Sequence, residues 1–321
     1  MFAGLTIVAI VCYAIIRALL ASTVSSRFAD QPNERSLHAQ PVPRIGGIGI
    51  VTVAIIVGLL VGLDIRLLGA TLALALLSLA DDWRGLPAAV RFATHFIAAT
   101  TVVFTLLDDT SGWWLLACVI GVVWMTNLYN FMDGADGLAG GMTMFGFATY
   151  AIAAAWGGDE SLAMFCAALA VAAAAFLLLN FHPARVFMGD VGSIPLGFLA
   201  AVVGLMGYVR GLWPPWMPVV VFMPFVADAS VTLARRLARG ERVWHAHRTH
   251  YYQRLVRSGV GHMRVALLEY LAMSGTALGA LATIGRDATT QTLIVGLIVA
   301  AHGAAGWVID RRWSRWSAAT S

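Results

Sequence analysis

The chain alternates long apolar runs with short polar segments, and eleven of the runs are candidates to cross a bilayer: 2–20, 45–63, 67–80, 92–107, 113–126, 138–156, 162–179, 194–209, 216–233, 265–284 and 290–309. Several are shorter than the ~20 residues a straight helix needs to cross the hydrocarbon. The third and fifth are the most doubtful as spans, and both run into carboxylate motifs. A backbone in lipid must satisfy its own hydrogen bonds, so the pattern predicts an all-α polytopic membrane protein of about eleven transmembrane helices. The longest polar segment, 234–264, is too short for a soluble domain, and residues 1–321 read as one integral membrane domain.

Polar residues break this rhythm most sharply in WMTNLYNFMDGADGLAGG, residues 124–141. Asn127, Asn130, Asp133 and Asp136 recur every three residues between two apolar runs. Polar groups at membrane depth are expensive, so four of them suggest a site. Each three-residue step turns an ideal helix by about 300°, which leaves Asn127 and Asp136 on opposite faces. Gly134, Gly137, Gly140 and Gly141 disfavour an unbroken helix. The stretch therefore predicts a helix end running into a glycine-rich turn, with Asp133 and Asp136 at the water boundary.

Composition sharpens the class. Hydrophobic residues make up 60%, charged residues 12%, and the mean hydropathy is +0.79; an average soluble domain carries about 25% charged residues. The first run lacks a basic leader and a small-residue cleavage site, so it reads as a retained helix. All 21 basic residues are arginines. With eleven spans, seventeen of them fall on one side, against Arg66, Arg210 and Arg286 on the other. That asymmetry predicts an outer N-terminus and a cytoplasmic C-terminus. The net charge of +4 then reflects topology and gives no reason to invoke nucleic acid. Cys12, Cys118 and Cys166 lie unpaired in apolar runs and read as small buried hydrophobes.

The arginine-rich side also holds the remaining motifs. The first loop, DQPNERSLHAQPVPRIGG (30–47), offers Arg35, His38 and Arg44 either to a phosphate or to the lipid surface. Asp81 and Asp82 end the third run; adjacent carboxylates repel, and a divalent cation, a base role or a solvated loop start each accounts for the pair. In NFHPARVFMGDVGS (180–193), Asp190 is flanked by Gly189 and Gly192, which admit a close ligand, and Ser193 is placed to cap the eighth helix. The last loop holds His245, His247, Arg248 and His250. Its spacing has no cysteine or fourth ligand for zinc, and it suits substrate phosphates or lipid headgroups. Asp108, Asp109, Asp159 and Glu160 fall in outer loops away from such motifs and read as solvated turns.

Taken in order, RSLH and PRIGG, the Asp81–Asp82 pair, NLYNFMDGADGLAGG, PARVFMGDVGS and the histidine loop resemble the motifs of the polyprenyl-phosphate N-acetylhexosamine-1-phosphate transferases, nearly end to end. The resemblance implies transfer of a sugar phosphate from a UDP-N-acetylhexosamine to undecaprenyl phosphate in the bilayer, which would begin a cell-wall or surface glycan such as an O-antigen. By position it implies that Asp190 coordinates Mg2+, with Mn2+ as a substitute and Asp133 or Asp136 reaching the ion through water. Asp81 and Asp82 would lie beside the metal and the acceptor phosphate. Asn127, Asn130, Asp133 and Asp136 would hold nucleotide sugar and ion, with Asp81, Asp82, Asp133 and Asp136 as the catalytic set. Arg35, His38, Arg44, Asn180, His245, His247, Arg248 and His250 are the expected substrate contacts, and an oligomer is compatible with the pattern. Two departures stand out. The histidine loop reads HAHRTH, closer to transferases of surface-polysaccharide pathways, and the lysine that often follows the Asp pair is missing, with Arg84 nearby. A cation-coupled transporter is the alternative reading, since it too places acids among broken helices. A non-catalytic scaffold would not need three carboxylate motifs.

Overall fold

The computed structural model describes residues 2–31, 40–107, 112–242 and 247–320. Their only strands are the two-residue antiparallel pair β1 (Ala29–Asp30) and β2 (Val42–Pro43), and everything else of regular structure is helical. In chain order come α1 (Phe2–Ala21), the short α2 (Val24–Arg27), α3 (Gly46–Leu60), α4 (Ile65–Arg84), α5 (Ala88–Leu106), α6 (Gly112–Phe131) and α7 (Leu138–Trp156). These are followed by α8 (Glu160–Asn180), α9 (Asp190–Val209), α10 (Met217–Val221), α11 (Met223–Ala238), α12 (Tyr251–Leu255), α13 (His262–Ala282) and α14 (Ala288–Thr320).

Eight of these helices, α1, α5, α6, α7, α8, α9, α13 and α14, are long and apolar enough to cross a membrane. The other three expected runs take different forms. α3 has 15 residues. α4 has 20 but carries Arg66 at one end and Asp81, Asp82 and Arg84 at the other. The ninth run breaks at Phe222 into α10 and α11, each with a proline in its first turn, Pro218 and Pro224; proline starts a helix and cannot continue the preceding one's bonds. The doubtful fifth run proves to be a 20-residue helix because α6 continues through Asn127 and Asn130 to Phe131. Asn127 satisfies its own amide by donating to the Val123 carbonyl one turn back (2.7 Å).

The bundle is organised about α9, which packs on α3, α4, α6 and α7. It is 83% buried, whereas α14 buries none of its apolar window and faces outward. Apolar side chains gain little by leaving lipid for protein, so close backbone approach at small residues has to hold such helices together. At Gly197 of α9 an added Cβ would stand 2.7 Å from the Met125 carbonyl oxygen of α6. At one end of the bundle, Asp159 caps α8 through Leu162 N–H (2.9 Å) and pairs with Arg210 beyond α9 (2.6 Å). It is thus a structural tie instead of a merely solvated turn. Asp108 and Asp109 lie outside the described residues. The α4–α5, α6–α7 and α8–α9 connections, which carry the motifs, meet at the opposite end.

Candidate active site

Glycines bring the first loop against the Asp190 turn. Phe187 N–H donates to Pro43 O (2.8 Å), Gly46 N–H to Phe187 O (2.9 Å) and Gly47 N–H to Met188 O (2.9 Å). The approach leaves no room for side chains: a Cβ on Gly47 would overlap Gly192, and one on Gly189, where φ is +72°, would meet the Arg44 carbonyl oxygen at 2.6 Å. The result places Arg44 beside Asp190, at the first residue of α9. β1 and β2 fix the other side of Arg44, whose guanidinium pairs with Asp30 (2.6 Å).

Around that guanidinium lie Asp82, Asp133 and Asp190, all within electrostatic reach of it. Asp133, in the turn after α6, accepts a hydrogen bond from Gly189 N–H. Burial, then the Asp190 charge, hold its pKa well above the carboxylate range, while Arg44 and the Gly189 N–H pull it down. Asn130 ties the two motifs together. Its oxygen accepts from Ser193 Oγ (2.8 Å), and its amide bonds Asp190. Ser193 therefore clamps α9 to α6 and does not cap α9, whose N-cap is Gly189.

The two adjacent aspartates separate cleanly. Asp81 accepts from Leu86 N–H (2.6 Å) and from Arg91 Nη1 (3.0 Å), closing the α4–α5 turn at the left-handed Gly85. Asp82 is exposed and faces the charges of Asp190 and Arg44. The cation beside the pair is Arg91, not Arg84, which lies over the Trp83 ring (5.5 Å).

Other expected residues sit further from this centre. Asn127 is one helical turn deeper on α6, bonded to its own helix. Asp136 turns away to accept from His182 Nδ1 (2.6 Å) and Ala184 N–H (3.2 Å), with His262 Nδ1 at 3.9 Å. The rings of His182 and His262 stack at 5.5 Å. Asn180 is buried, accepting from Gly137 N–H (3.0 Å) and donating to Val186 O (2.9 Å). It ties two site loops together. Arg35, His38 and His245 lie outside the described residues.

The histidine loop docks on the α6–α7 turn. Tyr252 donates to the Phe131 carbonyl (3.2 Å), and a Cβ on Gly134 would overlap the Tyr252 hydroxyl. Asp228 of α11 anchors the loop, accepting from Tyr251 N–H (2.9 Å), Tyr252 N–H (3.0 Å) and His250 Nδ1 (3.0 Å). That bond fixes the tautomer and leaves Nε2 of His250 for a ligand. His247 lies 4.8 Å from His250, ring to ring. Burial, then the neighbouring His250 and Arg236, push its pKa down to about 4, so at neutral pH it is an uncharged imidazole. Arg248 is partly buried, and its carbonyl accepts from Arg257 Nη1 (3.2 Å).

Arg91, His182, Asp228 and His262 are site residues that the sequence motifs do not single out. Asp228 carried a usable signal: it is the lone acid of an apolar run, and such an acid needs a partner. Arg91 and His262 carried none, because their partners are fixed by turns and by packing of distant helices.

The sequence profile of glycosyl transferase family 4 matches residues 65–208. A probable undecaprenyl-phosphate N-acetylglucosaminyl 1-phosphate transferase of Bacillus subtilis is 29% identical over 75% of this chain and 73% of its own length. The decaprenyl-phosphate N-acetylglucosaminephosphotransferase of Mycobacterium tuberculosis is 30% identical over 84% and 79%. A phospho-N-acetylmuramoyl-pentapeptide-transferase of Staphylococcus saprophyticus is 33% identical over 44% and 53%. These relatives are transferases, which leaves the transporter reading without support. Likeness of this extent shows the family, and the chain belongs to glycosyl transferase family 4, the polyprenyl-phosphate N-acetylhexosamine-1-phosphate transferases.

Proposed function

We propose that this protein transfers N-acetylhexosamine 1-phosphate from a UDP-sugar to undecaprenyl phosphate, releasing UMP, at the cytoplasmic face of a bacterial plasma membrane. In this reading the eleven runs all cross, the N-terminus is outside, and residues 1–321 form one transferase domain. One observation carries the proposal: Asp82, Asp133 and Asp190 are drawn around a single guanidinium, Arg44, at the motif-bearing end of the bundle.

That surplus of negative charge fits a divalent cation. Among the described residues no three acidic or imidazole groups form a ready coordination set. Mg2+ suits such a site because it keeps several waters and needs only one or two carboxylates; Mn2+ has similar oxygen preferences. Asp190 would hold it, with Asp133 through water, and Asp136 is engaged elsewhere by His182. When bound, the ion would offset the repulsion between the donor pyrophosphate and the acceptor phosphate.

The chain's own residues do the positioning. An oxygen of the acceptor phosphate forms a bond to the sugar-bearing phosphorus as that phosphorus loses its bridge to the uridine phosphate, and UMP leaves with the bridging oxygen. A phosphate monoester has a second pKa of about 6, so the acceptor is already dianionic and needs no strong base. Asp82 orients the acceptor, Arg44 contacts phosphate, and Asn130 keeps Asp190 and Ser193 in register. His250, and Arg248 beside it, contact the donor phosphates. A cavity of about 220 Å³ between α6, α9, α10 and α11, lined by Trp114, Val122, Leu205, Phe222 and Val226, is apolar enough for prenyl units. The test is UMP release by purified protein across a panel of UDP-N-acetylhexosamines. Release that needs both Mg2+ and undecaprenyl phosphate supports the reading, and the preferred donor names the sugar. Release without a lipid acceptor would contradict it.

A further inference from the structure

α14 has 33 residues, about 50 Å of helix, whereas a bilayer's hydrocarbon is about 30 Å thick. If the apolar run 290–309 fills the membrane, the final turns stand at headgroup level and beyond. Those turns carry Trp307, Arg311, Arg312, Trp313, Arg315 and Trp316. With Ser258 of the kinked turn Val256–Val260 and with Val308, most of them line an open cavity of about 560 Å³. No carboxylate is among the lining residues. Asp310, next in sequence, points elsewhere and is held by Arg235 (2.6 Å), Arg254 (2.8 Å) and the Tyr251 hydroxyl (3.3 Å).

Two of the cavity arginines are held in place. Arg312 donates to Ser258 Oγ (3.0 Å) and Ser258 O (2.8 Å), which fixes the cavity floor. Arg311 lies 3.8 Å over the Trp307 ring and is exposed, as is Arg315. Arg257 lies over Trp313 at 4.9 Å and Trp316 at 5.8 Å. Tryptophans at this level mark the membrane interface. Clustered arginines between helix ends on the cytoplasmic side present donors to lipid phosphate. An interfacial anchor alone requires neither a cavity nor a fixed floor.

We propose that this cavity binds one anionic phospholipid of the inner leaflet, with its headgroup phosphate between Arg311, Arg312 and Arg315 and its glycerol and upper chain against Trp307 and Val308. The lipid is distinct from the acceptor substrate, and its binding does not depend on the transferase reading.

The test is a titration of the protein in neutral detergent with phosphatidylglycerol, phosphatidylcholine or inorganic phosphate, following the thermal midpoint. Phosphatidylglycerol raises the midpoint saturably, and the other two do not. Each arginine at an anionic lipid surface is worth roughly fivefold in affinity. Arg311→Gln with Arg315→Gln therefore raises the half-saturating phosphatidylglycerol concentration about 30-fold, and the paired lysine variant stays within a few-fold of wild type. If the double glutamine variant does not fold, Arg315→Gln alone carries the test at about fivefold. Equal saturation by wild type and the glutamine variant overturns the proposal. So does a midpoint shift with inorganic phosphate that matches the lipid's, since the ligand would then be a soluble anion.

Discussion

Replacing Asp81 and Asp82 singly by asparagine separates scaffold from chemistry at adjacent positions. Asparagine at 81 can still accept from Leu86 N–H but loses its charge toward Arg91. In that ion pair the Arg91 side chain is 40% exposed and the Asp81 side chain 12%. Its worth falls between the ~0.2–1 kcal/mol of exposed pairs and the ~1.5–3 kcal/mol of hydrogen bonds to charged groups. Asp81→Asn is therefore expected to lower stability by about 1–2 kcal/mol and kcat only a few-fold. Asp82 makes no hydrogen bond among the described residues and faces the like charges of Asp190, Asp81 and Asp30, offset by Arg44. Asp82→Asn is expected to leave stability within about 0.5 kcal/mol and to lower kcat about 100-fold, the cost of a roughly 1 Å misplacement of the acceptor. Thermal midpoints and UMP-release kinetics in one detergent measure both. A 100-fold loss in kcat at an unchanged midpoint for Asp81→Asn, with a lowered midpoint and near-normal kcat for Asp82→Asn, would refute the assignment.

Three further outcomes follow from the same geometry. Asp133 has a folded pKa above its unfolded one, so it contributes nothing below the ordinary carboxylate range and costs metal-free stability as pH rises from there toward the folded value. The midpoint difference between wild type and Asp133→Asn should fall with pH over that window, and Mg2+ should recover more of it at higher pH; a difference that grows with pH contradicts this. Asp228→Asn and His250→Ala should raise KM more than they lower kcat, and by similar factors, because Asp228 acts by holding His250; steady-state kinetics of the two variants decide it, and an unaffected Asp228→Asn enzyme would contradict the coupling. Cysteine labelling from outside should reach Arg286→Cys and miss Arg248→Cys, and the opposite pattern would invert the topology.

The bilayer made much of the fold readable, because each apolar run had only one way to satisfy its backbone. The acids stood out because charge is so rare in this chain. The glycine-rich turn after α6 was readable for the same reason, whereas the break of the ninth run at Phe222 was not, because Pro218 and Pro224 sit inside one continuous apolar stretch. Nor were pairings across turns. Nothing in the spacing of Asp81 and Arg91 says that Gly85 reverses the chain between them. That Asn180 ties two loops was not legible either, because an exposed amide and a buried one read alike in sequence. Ser193 looked like a cap because its place before an apolar run suits that role, whereas the helix in fact begins three residues earlier at Asp190. Asp136 shares its spacing with Asp133 and differs in the histidines that the α8–α9 connection and the start of α13 bring to it.

The central claim, that Asp190 anchors a divalent cation in a phosphotransfer site, is tested most directly by Asp190→Asn. Asparagine keeps the shape and the contact with Asn130 but removes the charge. The variant should remain folded, lack the stabilisation by Mg2+ expected of wild type, and release no UMP from UDP-N-acetylglucosamine in the presence of undecaprenyl phosphate. Near-normal UMP release by a folded Asp190→Asn protein at ordinary Mg2+ would contradict the claim.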